Sequence, residues 1–129
     1  MVEWQIDNDR PVYTQLVEQM ERAVASGVFG PGQRLPGVRE MAAEAGVNPN
    51  TMQRALQALE QTGLVHAKRT SGRFVTEDRE LILTLRKRQA ESLTGRWVRD
   101  MRALGCDGEE IDRYYRQVRE AEDGNDLKV

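Results

Sequence analysis

Residues 46–49 carry a helix terminator and a helix initiator almost back to back, Gly46-Val47-Asn48-Pro49. Glycine closes a helix in the left-handed conformation that other residues resist. Asparagine is a strong N-cap, and proline suits the first helical position because the N–H it lacks would go unpaired there. One helix therefore stops and another starts across a corner with room for a single apolar plug, Val47. That corner describes a helix-turn-helix.

Apolar periodicity supplies the helices on either side. Tyr13, Leu16, Val17, Met20 and Val24 recur at helical steps. They predict a helix that starts at Asp9 or Arg10, takes Pro11 in its first turn and stops at Gly27. Phe29-Gly30-Pro31-Gly32 reads as a turn, and Gln33-Arg34-Leu35-Pro36 as extended chain, because a residue before proline avoids the helical region. A short helix over Val38–Ala45 turns Val38, Met41 and Ala42 inward. The next helix runs from Pro49 to Thr62 and ends at Gly63. Leu64–Arg69 reads as a strand, Thr70-Ser71-Gly72 as a tight turn and Arg73–Val75 as the return strand.

From Glu77 the texture changes to a long charged helix over Asp78–Leu104, a break at Gly105-Cys106-Asp107-Gly108, and a last helix over Glu109–Glu122, with the tail 124–129 frayed. The expected fold is mainly α with a small β wing. A winged helix-turn-helix domain spans residues 1–76, and a short two-helix dimerisation segment spans 77–129.

The helix after the corner divides by face. Met52, Ala55, Leu56 and Leu59 share a helical spacing that makes a buried stripe. Asn50, Gln53, Arg54 and Gln57 repeat the spacing as a polar stripe with one charge. Solvated helix faces more often carry Glu and Lys pairs. Amides present donor and acceptor together and arginine is bidentate, the chemistry that base edges require. Lys68, Arg69 and Arg73 flank the hairpin tip, where Gly72 admits close backbone approach to phosphate. The plainer reading makes the stripe a solubilising face and the hairpin a cap on the core.

Charge distribution points the same way although the total does not. The chain carries a formal net charge of −2. Pro31–Val75 holds six basic residues against three acidic, while the segments before and after it are net acidic. A locally basic reader within an acidic chain fits a nucleic-acid partner. One cysteine and one histidine exclude an intramolecular disulfide and a His/Cys metal cluster. No cofactor is expected. No apolar run reaches membrane-span length and the acidic N-terminus lacks signal-peptide character, so the expected location is cytoplasmic, without membrane contact.

In order, Pro11-Val12-Tyr13, Gly30-Pro31-Gly32-Gln33-Arg34-Leu35-Pro36, Val38-Arg39-Glu40-Met41-Ala42, Gly46-Val47-Asn48-Pro49-Asn50-Thr51 and Leu59-Glu60-Gln61-Thr62-Gly63-Leu64-Val65 resemble the winged-helix domain of the GntR family of bacterial transcription regulators. The resemblance covers Trp4–Val75, and the short helical tail is similar to the YtrA subfamily. It implies a homodimeric, sequence-specific DNA-binding regulator, a repressor on an inverted-repeat operator of double-stranded DNA, with a transporter operon as its target. Arg34, Arg39, Asn48, Asn50, Thr51, Gln53, Arg54, Lys68, Arg69, Gly72 and Arg73 are the expected DNA-binding residues. Gln53 and Arg54 would face the major groove, and Asn48, Asn50 and Thr51 would sit at the N-terminus of the recognition helix, where free N–H groups and the helix dipole favour phosphate. Gly37 departs from the family, which usually has a capping serine there.

Leu93, Trp97, Met101, Leu104, Ile111, Tyr114, Tyr115 and Val118 are the expected dimerisation residues. Two helices bury such stripes poorly alone, and the alternative to a partner is that they fold back on the first helix of their own chain. Trp97, Tyr114 and Tyr115 leave an effector pocket open as a reading, with no effector identified. His66 reads as a half-exposed strand residue rather than a pH switch or metal ligand, Cys106 as an incidental turn residue with an intermolecular disulfide at a dimer seam as its alternative, and Trp4 as packing an N-terminal arm on the first helix. The competing reading is a winged helix that docks proteins without touching DNA. An enzyme is not expected, because no catalytic constellation is present.

Overall fold

A computed structural model of the chain describes residues 2–127. The order is α1 (Val12–Ala25), α2 (Val38–Ala45), α3 (Pro49–Gln61), β1 (Val65–Lys68), β2 (Gly72–Val75), α4 (Arg79–Ala103) and α5 (Gly108–Leu127). It divides into two compact units, one running to Arg88 and the other starting at Gln89.

The corner forms as its residues dictate. Gly46 sits at φ +70°, and its N–H donates to Ala43 O at 3.3 Å while the Val47 N–H donates to Ala42 O at 3.0 Å. These two bonds satisfy carbonyls that the end of α2 would leave open. Asn48 Oδ1 then accepts from the Asn50 N–H at 2.8 Å, capping α3. Helix α1 begins at Val12 rather than at Asp9 or Arg10, because Pro11 is extended at φ −52° and ψ 133°.

The core of the first unit comes from three helices. Leu16, Met20 and Val24 of α1 meet Met41 and Ala42 of α2 and Met52, Ala55, Leu56 and Leu59 of α3, all buried. Burying each large apolar side chain is worth about 1.5–3 kcal/mol. Ile82 and Leu85 of α4 join the same cluster, so the packed unit continues past the composition change at Glu77.

Strands β1 and β2 pair antiparallel, with Val65 opposite Val75 and Lys68 opposite Gly72. The extended link before α2 adds a third line of pairing. Leu35 N donates to Arg73 O at 2.8 Å and Val75 N donates to Gln33 O at 2.9 Å, bridging Arg34 to Phe74. The N-terminal arm lies on α1 as expected, through Gln5 N to Gln19 Oε1 and Asp7 N to Gln15 Oε1, both 2.9 Å, with Trp4 partly buried against the core.

In the second unit, α5 starts with a reciprocal cap. The Glu110 N–H donates to Asp107 Oδ1 at 2.9 Å and the Asp107 N–H donates to Glu110 Oε1 at 3.2 Å. Helix α5 continues to Leu127, so residues 124–127, expected to fray, are helical; Lys128 and Val129 lie outside the described residues. Trp97 and Tyr115 pair with ring centroids 6.1 Å apart at an interplanar angle of 57°. Ile111 is buried, so its side chain packs within the chain instead of belonging to a free face. Leu93, Trp97, Leu104, Tyr114, Tyr115 and Val118 are exposed, and Met101 is half-buried. Among the described residues no helix is long and apolar enough to cross a membrane.

Candidate nucleic-acid interface

Helix α3 is buried along one stripe, which leaves the opposite stripe outside. Asn50, Arg54 and Gln57 are exposed on it and Gln53 is half-buried. The stripe carries one full charge and three amides, so it can hydrogen-bond in both directions without presenting a like-charge wall.

Arg54 does not hang free. Its guanidinium lies over the ring of Tyr13 on α1, 3.8 Å from the centroid. Stacking uses the guanidinium's flat face and leaves its N–H edge available for bidentate bonding. Tyr13 counts in the sequence as one more apolar-stripe residue. No local pattern marks it as the support of Arg54, because the contact exists only where α1 and α3 pack.

The start of α3 differs from expectation. The Asn50 N–H is already taken by the Asn48 side chain, and the Thr51 N–H donates to Asn48 O at 3.0 Å. These amides are therefore not open anion ligands, and the expected free N–H groups at this end are closed by the cap.

The wing places its basic residues unequally. Arg69 is exposed in the turn, and Lys68 lies over the Phe74 ring, Nζ 4.5 Å from the centroid. Gly72 opens β2 at φ +102°, and a Cβ there would meet Arg34 Nε at 3.2 Å. Arg34 thus passes directly under the wing tip, joined to it by the bridge to Phe74. Arg39 is exposed on α2.

Arg73 is the clearest departure from the expected phosphate contacts. It turns toward α3, where its Nε donates to Glu60 Oε1 in a part-buried ion pair. Its Nη1 donates to Gln53 Oε1 at 3.2 Å. Glu60 satisfies the charge within the protein, so Arg73 ties the wing to α3. Sequence reading places Glu60 only at the end of a helix; its partner, thirteen residues on, follows from how the hairpin folds back.

Ahead of α2, Gly37 is extended at φ −65° and ψ 156° and gives no side-chain cap. A Cβ there would meet nothing within 4 Å. What this N-cap lacks is the side-chain bond that a serine hydroxyl would offer.

Comparison with known proteins agrees with this arrangement. The family model described as "Bacterial regulatory proteins, gntR family" matches residues 12–75, from the first helix to the end of the wing. The chain is 30% identical over 121 residues to the HTH-type transcriptional repressor YtrA of Bacillus subtilis, an alignment covering 88% of this chain and 90% of that protein. The solved structure of a GntR family transcriptional regulator from Listeria monocytogenes superposes with a TM-score of 0.80 at 33% identity, covering 87% of this chain and 98% of that one. The AraR DNA-binding domain in complex with operator ORX1 superposes with a TM-score of 0.54 at 25% identity, over 58% of this chain and 96% of that one. A winged helix-turn-helix with an exposed amide and arginine stripe on its second corner helix, matched over these lengths, is the fold of a transcription regulator, and the chain belongs to the gntR family of bacterial regulatory proteins.

Proposed function

We propose that this regulator is a homodimeric repressor that reads an inverted-repeat operator in double-stranded DNA. The observation that carries the reading is the outer stripe of α3, where Asn50, Gln53 and Arg54 stand together, with Arg54 held flat on Tyr13. Asn50 and Arg54 offer the side-chain chemistry that distinguishes base pairs in the major groove. Arg34, Arg39, Asn48, Thr51, Lys68 and Arg69 surround the stripe and supply phosphate contacts, which set register and most of the affinity. The likeness to the repressor YtrA and to an operator-bound AraR domain supports the repressor role and the operator partner.

Dimerisation is assigned to the unit from Gln89 onward. Leu104 is 79% exposed and Val118 60%, with Leu93, Tyr114 and Tyr115 also open to solvent. So much large apolar surface on a short helical pair calls for a partner, and a second copy would give two recognition helices about 34 Å apart on successive major grooves. A transporter operon as target follows from the YtrA resemblance alone. Any effector would act on the same helical pair.

Selection of bound sequences from random duplexes with the purified chain tests this reading. A two-fold symmetric motif supports reader and dimer together. Recovery of no preferred sequence would break it.

A further inference from the structure

Gln53 and Glu60 lie two helical turns apart on α3 and are joined by a residue from another element. Arg73 of β2 donates from Nε to Glu60 Oε1 and from Nη1 to Gln53 Oε1, the latter at 3.2 Å. The Arg73 side chain is 18% exposed and that of Glu60 29%, so water competes weakly for the link.

A guanidinium has five donors and no acceptor. The Gln53 atom facing Arg73 is therefore necessarily the carbonyl oxygen, which settles which way the amide is turned. An unrestrained glutamine reads adenine with both ends, accepting from N6 and donating to N7. Gln53 has its accepting end directed to Arg73, and Nε2, a pure donor, is the end left for the groove.

We propose that Arg73, anchored by Glu60, is a positioning and specificity-determining residue: it orients the Gln53 amide as a donor, so that this position selects guanine or thymine over adenine. Guanine presents two acceptors, N7 and O6, and thymine presents O4, whereas adenine sets beside its acceptor a donor, N6, that would have to share Gln53 Oε1 with Arg73. Cytosine presents only a donor and is disfavoured for the same reason. The inference rests on α3 being the helix that enters the groove.

Selection from random duplexes with the full chain, repeated with Gln53→Ala, locates the base position that Gln53 reads. Wild type should favour guanine or thymine there over adenine by about fivefold or more. In Arg73→Met the released amide should raise adenine to parity or above, while Arg73→Lys, which still donates to Oε1, should keep the original preference. Circular dichroism establishes that each variant is folded; if Arg73→Met is not, the wild-type preference at that position decides alone. Adenine preferred by wild type overturns the proposal and leaves DNA reading intact. So does an unchanged preference in folded Arg73→Met, or a Gln53→Ala that flattens no position. A wild-type selection that enriches nothing overturns DNA reading itself, and the proposal with it.

Discussion

The guanidinium of Arg54 on α3 rests 3.8 Å from the ring centroid of Tyr13 on α1. A long, flexible side chain on an exposed helix face would otherwise lose rotamer freedom when it met a base. The ring removes part of that loss before binding.

Tyr13→Ala should therefore weaken operator binding by about 0.5–2 kcal/mol, the range of a cation–π contact, while Tyr13→Phe, which keeps the ring, should bind close to wild type. Fluorescence anisotropy on the selected duplex measures both. Arg54→Ala should lose about 1–3 kcal/mol of discrimination between operator and random DNA. Equal losses on the two duplexes would remove Arg54 from base reading.

Restoring a cap at α2 should stabilise the first unit. Gly37 has N-cap backbone geometry and open space where a side chain would grow. Gly37→Ser should add a few tenths of a kcal/mol, raising the unfolding midpoint by about 1–3 °C. A thermal melt showing no gain would mean that the hydroxyl finds no N–H of the first turn.

Glu21 on α1 supplies a pH dependence. Its carboxyl is held above the ordinary carboxylate range chiefly by burial, with Glu18 adding to the effect and Arg88 opposing it. A native pKa above the unfolded value means that the folded state binds the proton more tightly. Stability from this group is then lost as pH rises from the unfolded value near 4.3 through the raised native value. Glu21→Gln should be more stable than wild type at pH 7, with the advantage disappearing below about pH 4. Urea titrations at the two pH values read the difference, and an equal advantage at both would exclude titration as its source.

The second unit should hold the dimer through its exposed side chains. Leu104 and Val118 are the most exposed of its large apolar residues among those described, so Leu104→Glu combined with Val118→Glu removes apolar contact without touching buried Ile111. Sedimentation should show dimer shifting to monomer, operator affinity falling by about tenfold or more as the two half-sites uncouple, and the circular dichroism unchanged. A dimer that survives both substitutions would place its interface elsewhere.

Much of this fold follows from local rules that need no tertiary knowledge. Gly46, Asn48 and Pro49 set the corner because each acts on its own backbone. Met52, Ala55, Leu56 and Leu59 declare the buried stripe of α3, and thereby its outer face, because helical periodicity is a property of spacing alone. The family was legible for the same reason, since its motifs are largely these local devices in a fixed order. The candidate site was legible only to the level of a face. Arg73 looks like Lys68 and Arg69 in sequence, three bases around a turn, yet it alone meets Glu60 and Gln53. Tyr13 looks like Leu16, yet it carries Arg54. Gln33–Leu35 is extended by its proline, but its pairing with β2 required the hairpin to be in place. Ile111 shares its stripe with Tyr114, Tyr115 and Val118, yet it is buried where they are exposed. The sequence determined which residues lie on which side of each element, because that depends on spacing. Which charges are already satisfied, and which stay available to DNA, is set by packing between elements, because an arginine's partner depends on what another element brings within about 3 Å of it.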